Sequence, residues 1–401
     1  MGRPDRSGGG ATKRRPPHRV PARRDDEKQE TTPVKKIIRV ATLGASLALV
    51  LAACGSAPEE TEPTAGAGDG AAATDFKACV VSDAGGFDDK SFNQLSYEGT
   101  KEATEELGAG FAEVQSDSEA DFSTNLESLV SENCNAIVSV GFALSAATVE
   151  SATANPEIDY ILVDDAADND FDGTKDAENI KPLLYDTAQA AFLAGYLAAG
   201  YSAENGVNKV GTFGGAPYPT VTIFMDGFKQ GVEHYNEVKG AAVQVVGYQG
   251  GDQGSFTGGF EANDTAKQVA AGIIDQGVDV ILPVGGPIYQ SAMDAIADSG
   301  REVALIGADA DIFETDPATQ DLVLTSILKN MKLSTFEAVL SAGEGEFDPE
   351  AYVGTLENDG VGIAPLHNFE SKVSPELVTE VEELKQQIID GTVPVTSYLS
   401  E

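Results

Sequence analysis

Tryptophan is absent from this chain of 401 residues, and histidine and cysteine occur only three times each. His18, His234 and His367 lie far apart in the sequence and form no metal-binding spacing with one another or with cysteine. The chain also lacks a G-x-S-x-G nucleophile elbow and a Walker-type phosphate loop. We therefore expect a protein that is not an enzyme and that holds neither a metal nor a cofactor.

Positive charge is scarce as well, because 26 basic residues face 65 acidic ones and the formal net charge is −39. A surface of this sign opposes binding to nucleic acids, which requires basic residues. The charge is unevenly distributed: residues 1–53 hold twelve basic and five acidic residues, whereas all later positions hold 14 and 60. The change of sign next to Cys54 indicates a processing boundary rather than a boundary between domains.

The segment before Cys54 has the order of an export signal. Basic residues at 35, 36 and 39 precede an apolar run from Val40 to Ala53, which is shorter than the roughly 20 residues that span a membrane. The run ends in Leu51-Ala52-Ala53-Cys54, which is similar to the bacterial lipobox. In that signal the cysteine thiol is lipidated and the chain is cut before it. The alternative is an ordinary secretory signal followed by a chance cysteine.

The lipobox divides the amino-terminal part into two segments. We predict a leader at 1–53, and a tether at 54–75 whose small and acidic residues are typical of a flexible linker. Residues 1–33 are polar and rich in Arg and Pro, which is unusual ahead of a signal peptide. Our hypothesis is that translation starts at Val34.

From Phe76 onward, short apolar runs alternate with amphipathic stretches, a pattern typical of parallel sheets covered by helices. The predicted strands are Lys77–Val81, Gly110–Val114, Ala136–Val140, Tyr160–Val163, Lys209–Phe213, Val243–Gly247, Val278–Pro283, Val303–Gly307 and Leu322–Ile327. The predicted helices include Gln94–Leu107, Asn125–Asn133, Thr187–Ser202, Met225–Tyr235, Asp264–Gln276, Gln290–Ser299 and Leu333–Ala342. The order forms two similar sets that meet near residue 185. This predicts an α/β protein with two lobes.

The strands of both sets end in small or acidic residues that a loop follows. Ligands of open α/β sheets bind outside the carboxyl ends of the strands, so these residues are expected to line a cleft between the lobes.

Cys79 and Cys134 are the cysteines that remain after Cys54. They fall near the beginning of the first predicted strand and just before the third, and a 2-1-3 strand order would bring these positions together. A disulfide between them suits an exported protein, and two buried free thiols are the alternative.

One motif resembles a known family. The residues from Ser82 to Gln94, SDAGGFDDKSFNQ, are similar to the signature of the basic membrane protein family of lipoproteins, which includes purine nucleoside receptors of ABC transporters. The resemblance covers roughly 76–395. It continues through Val140-Gly141-Phe142, Val163-Asp164, Gly211 to Gly214, Phe224-Met225-Asp226-Gly227-Phe228, Pro283-Val284-Gly285-Gly286, Ile306-Gly307-Ala308-Asp309 and Ser326-Ile327-Leu328-Lys329-Asn330.

The resemblance implies the type I periplasmic-binding-protein fold, in which two Rossmann-like, doubly wound lobes hold a ligand in the cleft between them. The expected amino-terminal lobe is 76–184 with roughly 325–350, and the expected carboxy-terminal lobe is 185–324 with roughly 351–395.

The resemblance also implies a binding site. Phe92 and Phe224 would stack on the two faces of a purine base. The residues expected at the polar rim of the base are Asp83, Asn93 and Asp164, and those expected at the ribose are Gly285, Gly286, Asp309 and Lys329.

The function that follows is capture of a purine nucleoside, a small-molecule ligand, and its delivery to an ABC permease by a protein held at the outer face of the cell membrane through its lipid. The alternatives are a sugar or another heterocycle as ligand, and a ligand-sensing surface lipoprotein without a transport role. The absence of Trp disfavours the sugar, since sugar sites commonly stack on aromatic rings.

Overall fold

The computed structural model describes residues 75–400, which form two parallel-rich sheets and their covering helices. The strands are β1 Lys77–Val81, β2 Gly110–Val114, β3 Ala136–Val140, β4 Asp159–Val163, β5 Ile180–Tyr185, β6 Lys209–Gly214, β7 Gln244–Val246, β8 Tyr248–Gly250, β9 Gln253–Gly254, β10 Val280–Val284, β11 Ala304–Asp309, β12 Val323–Lys329, β13 Tyr352–Gly354 and β14 Val361–Ile363. The helices are α1 Phe92–Leu107, α2 Phe122–Ser131, α3 Ser145–Ala154, α4 Thr187–Glu204, α5 Pro219–Lys239, α6 Asp264–Ile274, α7 Ile288–Ser299, α8 Ile312–Thr315, α9 Met331–Gly343 and α10 Pro375–Ile389.

The two sheets repeat one topology. The first has the order β2-β1-β3-β4-β5-β13, and the second has the order β7-β6-β10-β11-β12-β14. Every pairing within them is parallel except that of β12 with β14. The central strands β3, β10 and β11 are buried at every residue, as parallel strands covered on both faces should be. Two doubly wound lobes are therefore confirmed.

The chain passes between the lobes three times. It leaves the first lobe between β5 and α4, returns between β12 and α9, and leaves again between β13 and β14. The crossing strands are tied together, since the Asp186 amide donates to the Gly354 carbonyl at 2.8 Å and the Asn330 amide donates to the Gly360 carbonyl at 2.9 Å. The first lobe thus includes the segment from α9 to β13. The limits of this segment lie a few residues after the expected 325 and 350, because β12 belongs to the second sheet up to Lys329.

Close packing of α4 against α5 shapes the second lobe. A Cβ atom on Gly231 would lie 2.0 Å from the Phe192 carbonyl oxygen, and one on Gly195 would lie 2.0 Å from the Phe228 carbonyl oxygen. Only glycine allows two helix backbones to approach so closely. This contact fixes α5, whose first turns carry Phe224.

A disulfide joins Cys79 in β1 to Cys134 just before β3, with the Cα atoms 5.9 Å apart. The strands β1 and β3 are neighbours in the 2-1-3 order, so the two cysteines meet at the amino-terminal edge of the sheet, away from the strand ends that face the other lobe.

The predicted leader, Cys54 and almost all of the tether lie outside the described residues. Among residues 75–400 no helix is both long and apolar enough to cross a membrane.

Candidate functional site

The strand ends of both lobes face a shared cavity of about 550 Å³. All nine residues that the family resemblance singled out line it: Asp83, Phe92, Asn93, Asp164, Phe224, Gly285, Gly286, Asp309 and Lys329. The structure therefore brings together residues that are up to 246 positions apart in the sequence. Their roles toward a ligand remain predictions.

Two aspartates occupy matching positions in the two lobes. Asp164 follows β4 and Asp309 ends β11, which are the fourth strands in the orders of their sheets. Both residues have a φ of +68°, a conformation that non-glycine residues adopt rarely and that favours Asp and Asn among them. The strained backbone turns both carboxylates toward the cavity, where they meet one lysine.

Lys329, at the end of β12, is that lysine, and its side chain is only 2% exposed. Its ammonium donates to Asp164 Oδ2 of the first lobe at 2.5 Å and lies 3.5 Å from Asp309 Oδ1 of the second. It also lies 5.2 Å from the ring centre of Phe92 and 5.1 Å from that of Phe224. The distance between the two ring centres therefore cannot exceed the sum of these two distances.

The two rings are exposed to different degrees. Phe92 begins α1 and is half-buried, whereas Phe224 is 1% exposed and packs into the hydrophobic core. Phe224 thus offers the cavity a small part of its surface in this conformation, although it lines the cavity as expected.

A hydrogen-bond network holds the polar side of the cavity in place. The Asn93 amide nitrogen Nδ2 donates to Asp83 Oδ1 at 2.8 Å, and the Gly85 amide donates to the same oxygen at 2.9 Å. Asp89 accepts from the backbone amides of Asn93 and Ser91 at 2.8 and 2.9 Å, so its carboxylate stabilises the amino terminus of α1. Sequence reasoning missed Asp89 as a cavity residue, although it belongs to the same motif.

Two polar atoms of the cavity residues accept no hydrogen bond, Asn93 Oδ1 and Asp309 Oδ1. Both are buried, in residues that are only 2% and 4% exposed, and Asp309 Oδ1 has the ion-pair contact of 3.5 Å with Lys329 described above. Since a buried polar atom without a partner costs free energy, these two atoms are candidates for contact with a ligand.

Burial also changes the acidity of the cavity. It raises the pKa of Asp83 to about 6, against the hydrogen bonds from Gly85 and Asn93. It raises the pKa of Asp309 to about 6 and that of Asp164 in the same direction, and in both the Lys329 ammonium opposes the effect. The carboxylates would therefore gain from a ligand that donates hydrogen bonds to them.

Three further rings line the outer part of the cavity, and sequence reasoning missed them. Tyr218 lies 5.0 Å from Phe142 of the first lobe and 5.8 Å from Phe260 of the second, measured between ring centres. The Phe260 ring covers Gly285, where a Cβ atom would meet it at 2.6 Å. Phe142 and Tyr218 lie shortly after the ends of β3 and β6, which is a signal that could have identified them.

Outside the cavity, an exposed loop after β4 brings together carboxylate oxygens of Asp168, Asp170 and Asp176 within 4.8 Å. Exposed acidic groups are commonly close without binding an ion, and we assign no role to them.

The fold and the cavity define a class: a two-lobed binding protein whose ligand site lies between the lobes. The family model described as ABC transporter substrate-binding protein PnrA-like (Bmp) matches residues 76–397, and the chain belongs to that family. The family resemblance is thus confirmed, and it is a family of solute-binding proteins.

Individual relatives are similar to this chain over most of its length. A CD4+ T-cell-stimulating antigen of Listeria innocua is 29% identical over 364 residues, which are 86% of this chain and 94% of the relative. The ABC transporter nucleoside-binding protein BmpA of Lactococcus lactis is 27% identical over 380 residues, or 90% and 99% of the two chains. An ABC transporter solute-binding protein of Aeropyrum pernix superimposes with a TM-score of 0.71 at 25% identity, covering 80% of this chain and 93% of the other.

Proposed function

We propose that this protein captures a purine nucleoside between its lobes and delivers it to an ABC permease. The observation that carries the proposal is the pair of rings from opposite lobes, Phe92 and Phe224, with the Lys329 ammonium about equally distant from both. A purine has two apolar faces and a polar rim, so two rings can hold its faces while polar side chains reach its edge. Base stacking on an aromatic ring contributes about 1–3 kcal/mol per base.

Polar groups of the cavity are available for the edge of the base and for the ribose. Asp83 and Asn93 lie at the end of the cavity formed by the first lobe, and we assign the edge of the base to them together with Asp164. Asp309 and Lys329 would hold the ribose, since hydroxyl groups both donate and accept and a carboxylate beside an ammonium satisfies both. Gly285 and Gly286 have φ of +139° and +52°, so the backbone can approach the sugar where a side chain would obstruct it.

Capture would proceed by closure of the lobes about the three crossing strands. Direct contacts between the lobes already exist, since the Ser91 hydroxyl donates to the Ala308 carbonyl at 2.9 Å. A ligand that contacts Asp164 and Asp309 at once stabilises the closed arrangement, because these side chains belong to different lobes.

Titration calorimetry of the purified protein tests this function, with adenosine, guanosine, inosine, cytidine and ribose as ligands. We expect a purine nucleoside to bind, and Phe92→Ala to weaken that binding about 5- to 160-fold. Phe111→Ala is the control, because Phe111 is also half-buried but does not line the cavity. Tight binding of ribose alone, unchanged by Phe92→Ala, would exclude the stacking arrangement.

We further propose that the protein is held at the outer face of the membrane by a lipid on Cys54. Two curated relatives, from Pyrococcus abyssi and Pyrococcus horikoshii, are described as lipoproteins, which supports the proposal. Cys54→Ser should abolish incorporation of labelled fatty acid and release the protein from membranes. Continued labelling of that variant would exclude Cys54 as the acylated residue.

A further inference from the structure

The cavity wall is strongly acidic. Among the described residues that line it, seven carry a carboxylate and Lys329 alone carries a positive charge. Four of the carboxylates belong to the inner part, and three are solvent-exposed at the mouth: Asp117, Glu119 and Glu261. A single lysine therefore faces a large excess of negative charge.

The mouth carboxylates stand on both lobes. Asp117 and Glu119 follow β2 in the first lobe, and Glu261 lies between β9 and α6 in the second. Glu119 accepts a hydrogen bond of 3.4 Å from the Tyr218 hydroxyl, which links the two sides of the mouth. Within residues 75–400, none of the three has a Lys, Arg or His nitrogen within ion-pair distance. Their charge is thus not compensated by a neighbouring cation.

A ligand has to pass these carboxylates to reach the interior. Asn93 Oδ1, which is buried and accepts no hydrogen bond, marks a place where a polar group of the ligand would go. Like charges that line a cleft with low-dielectric walls reinforce one another, and they change the local concentration and the association rate of charged ligands. A phosphate ester would meet repulsion at the mouth and again at the inner carboxylates.

We propose that Asp117, Glu119 and Glu261 form a charge filter at the mouth of the cavity, which admits neutral and cationic ligands and rejects phosphorylated ones. The proposal rests on the proposed function in taking the ligand to be a nucleoside. It assigns the choice between nucleoside and nucleotide to three residues outside the inner site.

The first test compares three forms of the purine nucleoside that binds most tightly: the parent, its 5′-amino-5′-deoxy derivative and its 5′-monophosphate. The perturbation is the triple variant Asp117→Asn, Glu119→Gln, Glu261→Gln. We expect its affinity for the monophosphate to rise at least about tenfold at low ionic strength, and that for the neutral parent to stay within about twofold. Association of the cationic amine should become slower and less dependent on salt.

The matched control is Glu106→Gln, Glu382→Gln, Glu383→Gln, which removes the same charge from exposed helical positions that do not line the cavity. It should change none of the three affinities by more than about twofold. Equal gains in monophosphate affinity in both triple variants, or no gain in the mouth variant, would overturn the proposal.

A second test needs no nucleoside. Because the chain lacks Trp, Phe142→Trp places a single indole at the mouth. We expect iodide to quench it at least about twofold more efficiently once the three mouth carboxylates are neutralised, whereas quenching by neutral acrylamide should not change. If this result holds and purine nucleosides fail to bind, the proposed function is wrong and the filter stands. If iodide quenching does not respond, the filter is wrong whatever the ligand is.

Discussion

Lys329 gives the sharpest stability prediction, because its ammonium lies within ion-pair distance of two buried aspartates of the cavity, Asp164 and Asp309. Lys329→Met keeps most of the side-chain volume and removes the charge. It leaves Asp164 and Asp309, which are 5% and 4% exposed, without a counter-ion. Removing one partner of a buried ion pair typically costs about 3–5 kcal/mol, so we expect a loss of that size in the free energy of unfolding at pH 8.

The loss should depend on pH. Without the ammonium, the pKa values of Asp164 and Asp309 in the folded protein rise further above their ordinary range, so folding takes up protons below those values. Each such carboxyl regains about 1.4 kcal/mol for each unit by which the pH falls below its pKa in the folded state. The deficit of the variant relative to the parent protein should therefore shrink between pH 8 and pH 5.

Urea denaturation followed by far-UV circular dichroism at four pH values measures this deficit. Lys332→Met is the control, because Lys332 is 44% exposed and its partners Glu98 and Glu102 lie at the surface, where an ion pair contributes at most about 1 kcal/mol. Asp164→Asn added to Lys329→Met should restore part of the stability at pH 8. A Lys329→Met deficit no larger than that of Lys332→Met, or one that stays constant with pH, would refute the reasoning.

Three other predictions follow. Affinity for the proposed nucleoside should fall as the pH is lowered from 7 to 5, because the pKa values of Asp83 and Asp309 are raised to about 6 and their protonated forms are poorer acceptors; calorimetry in buffers of different ionisation enthalpy should detect proton release on binding. Because the pKa values of these two groups are raised in the folded protein, the groups should destabilise the ligand-free fold against unfolding less as the pH falls below about 6. A rise of affinity toward pH 5 would contradict the predicted loss of binding. Gly231→Ala should lower the free energy of unfolding by about 1–3 kcal/mol through a clash of α5 with α4, whereas Gly272→Ala, in open space on α6, should raise it by about 0.4–1 kcal/mol, as denaturant titration would show. Replacing both cysteines of the disulfide by Ala should cost about 4 kcal/mol and lower the melting temperature; an unchanged value would mean that the bond adds little to stability.

Much of the fold could be predicted from periodicity. The bounds of β1, β2 and β3 agree with the predicted strands, because short apolar runs between turn-forming residues are what doubly buried parallel strands require. The prediction did not include β5, whose Pro182 argues against a strand. In the structure β13 pairs only with Leu183 to Tyr185, so Pro182 has a neighbouring strand on one side only and its missing amide is tolerated.

Part of the site could also be predicted from the sequence, and part could not. Residues that follow strands, such as Asp83 and Asp164, could be placed at the cleft from the topology of open α/β sheets alone. The pairing of Lys329 with an aspartate from each lobe could not, because it depends on where the crossing segments bring β12 relative to the first sheet. The near-complete burial of Phe224 was also beyond sequence reasoning, since it depends on the contact of α5 with α4.

A crystal structure of the protein with its tightest purine nucleoside tests the central claim most directly. We predict the base between the Phe92 and Phe224 rings, the ribose hydroxyls on Asp309 and Lys329, and a hydrogen bond to Asn93 Oδ1. A nucleoside bound elsewhere, or bound in the cavity with its base away from both rings, would contradict the account.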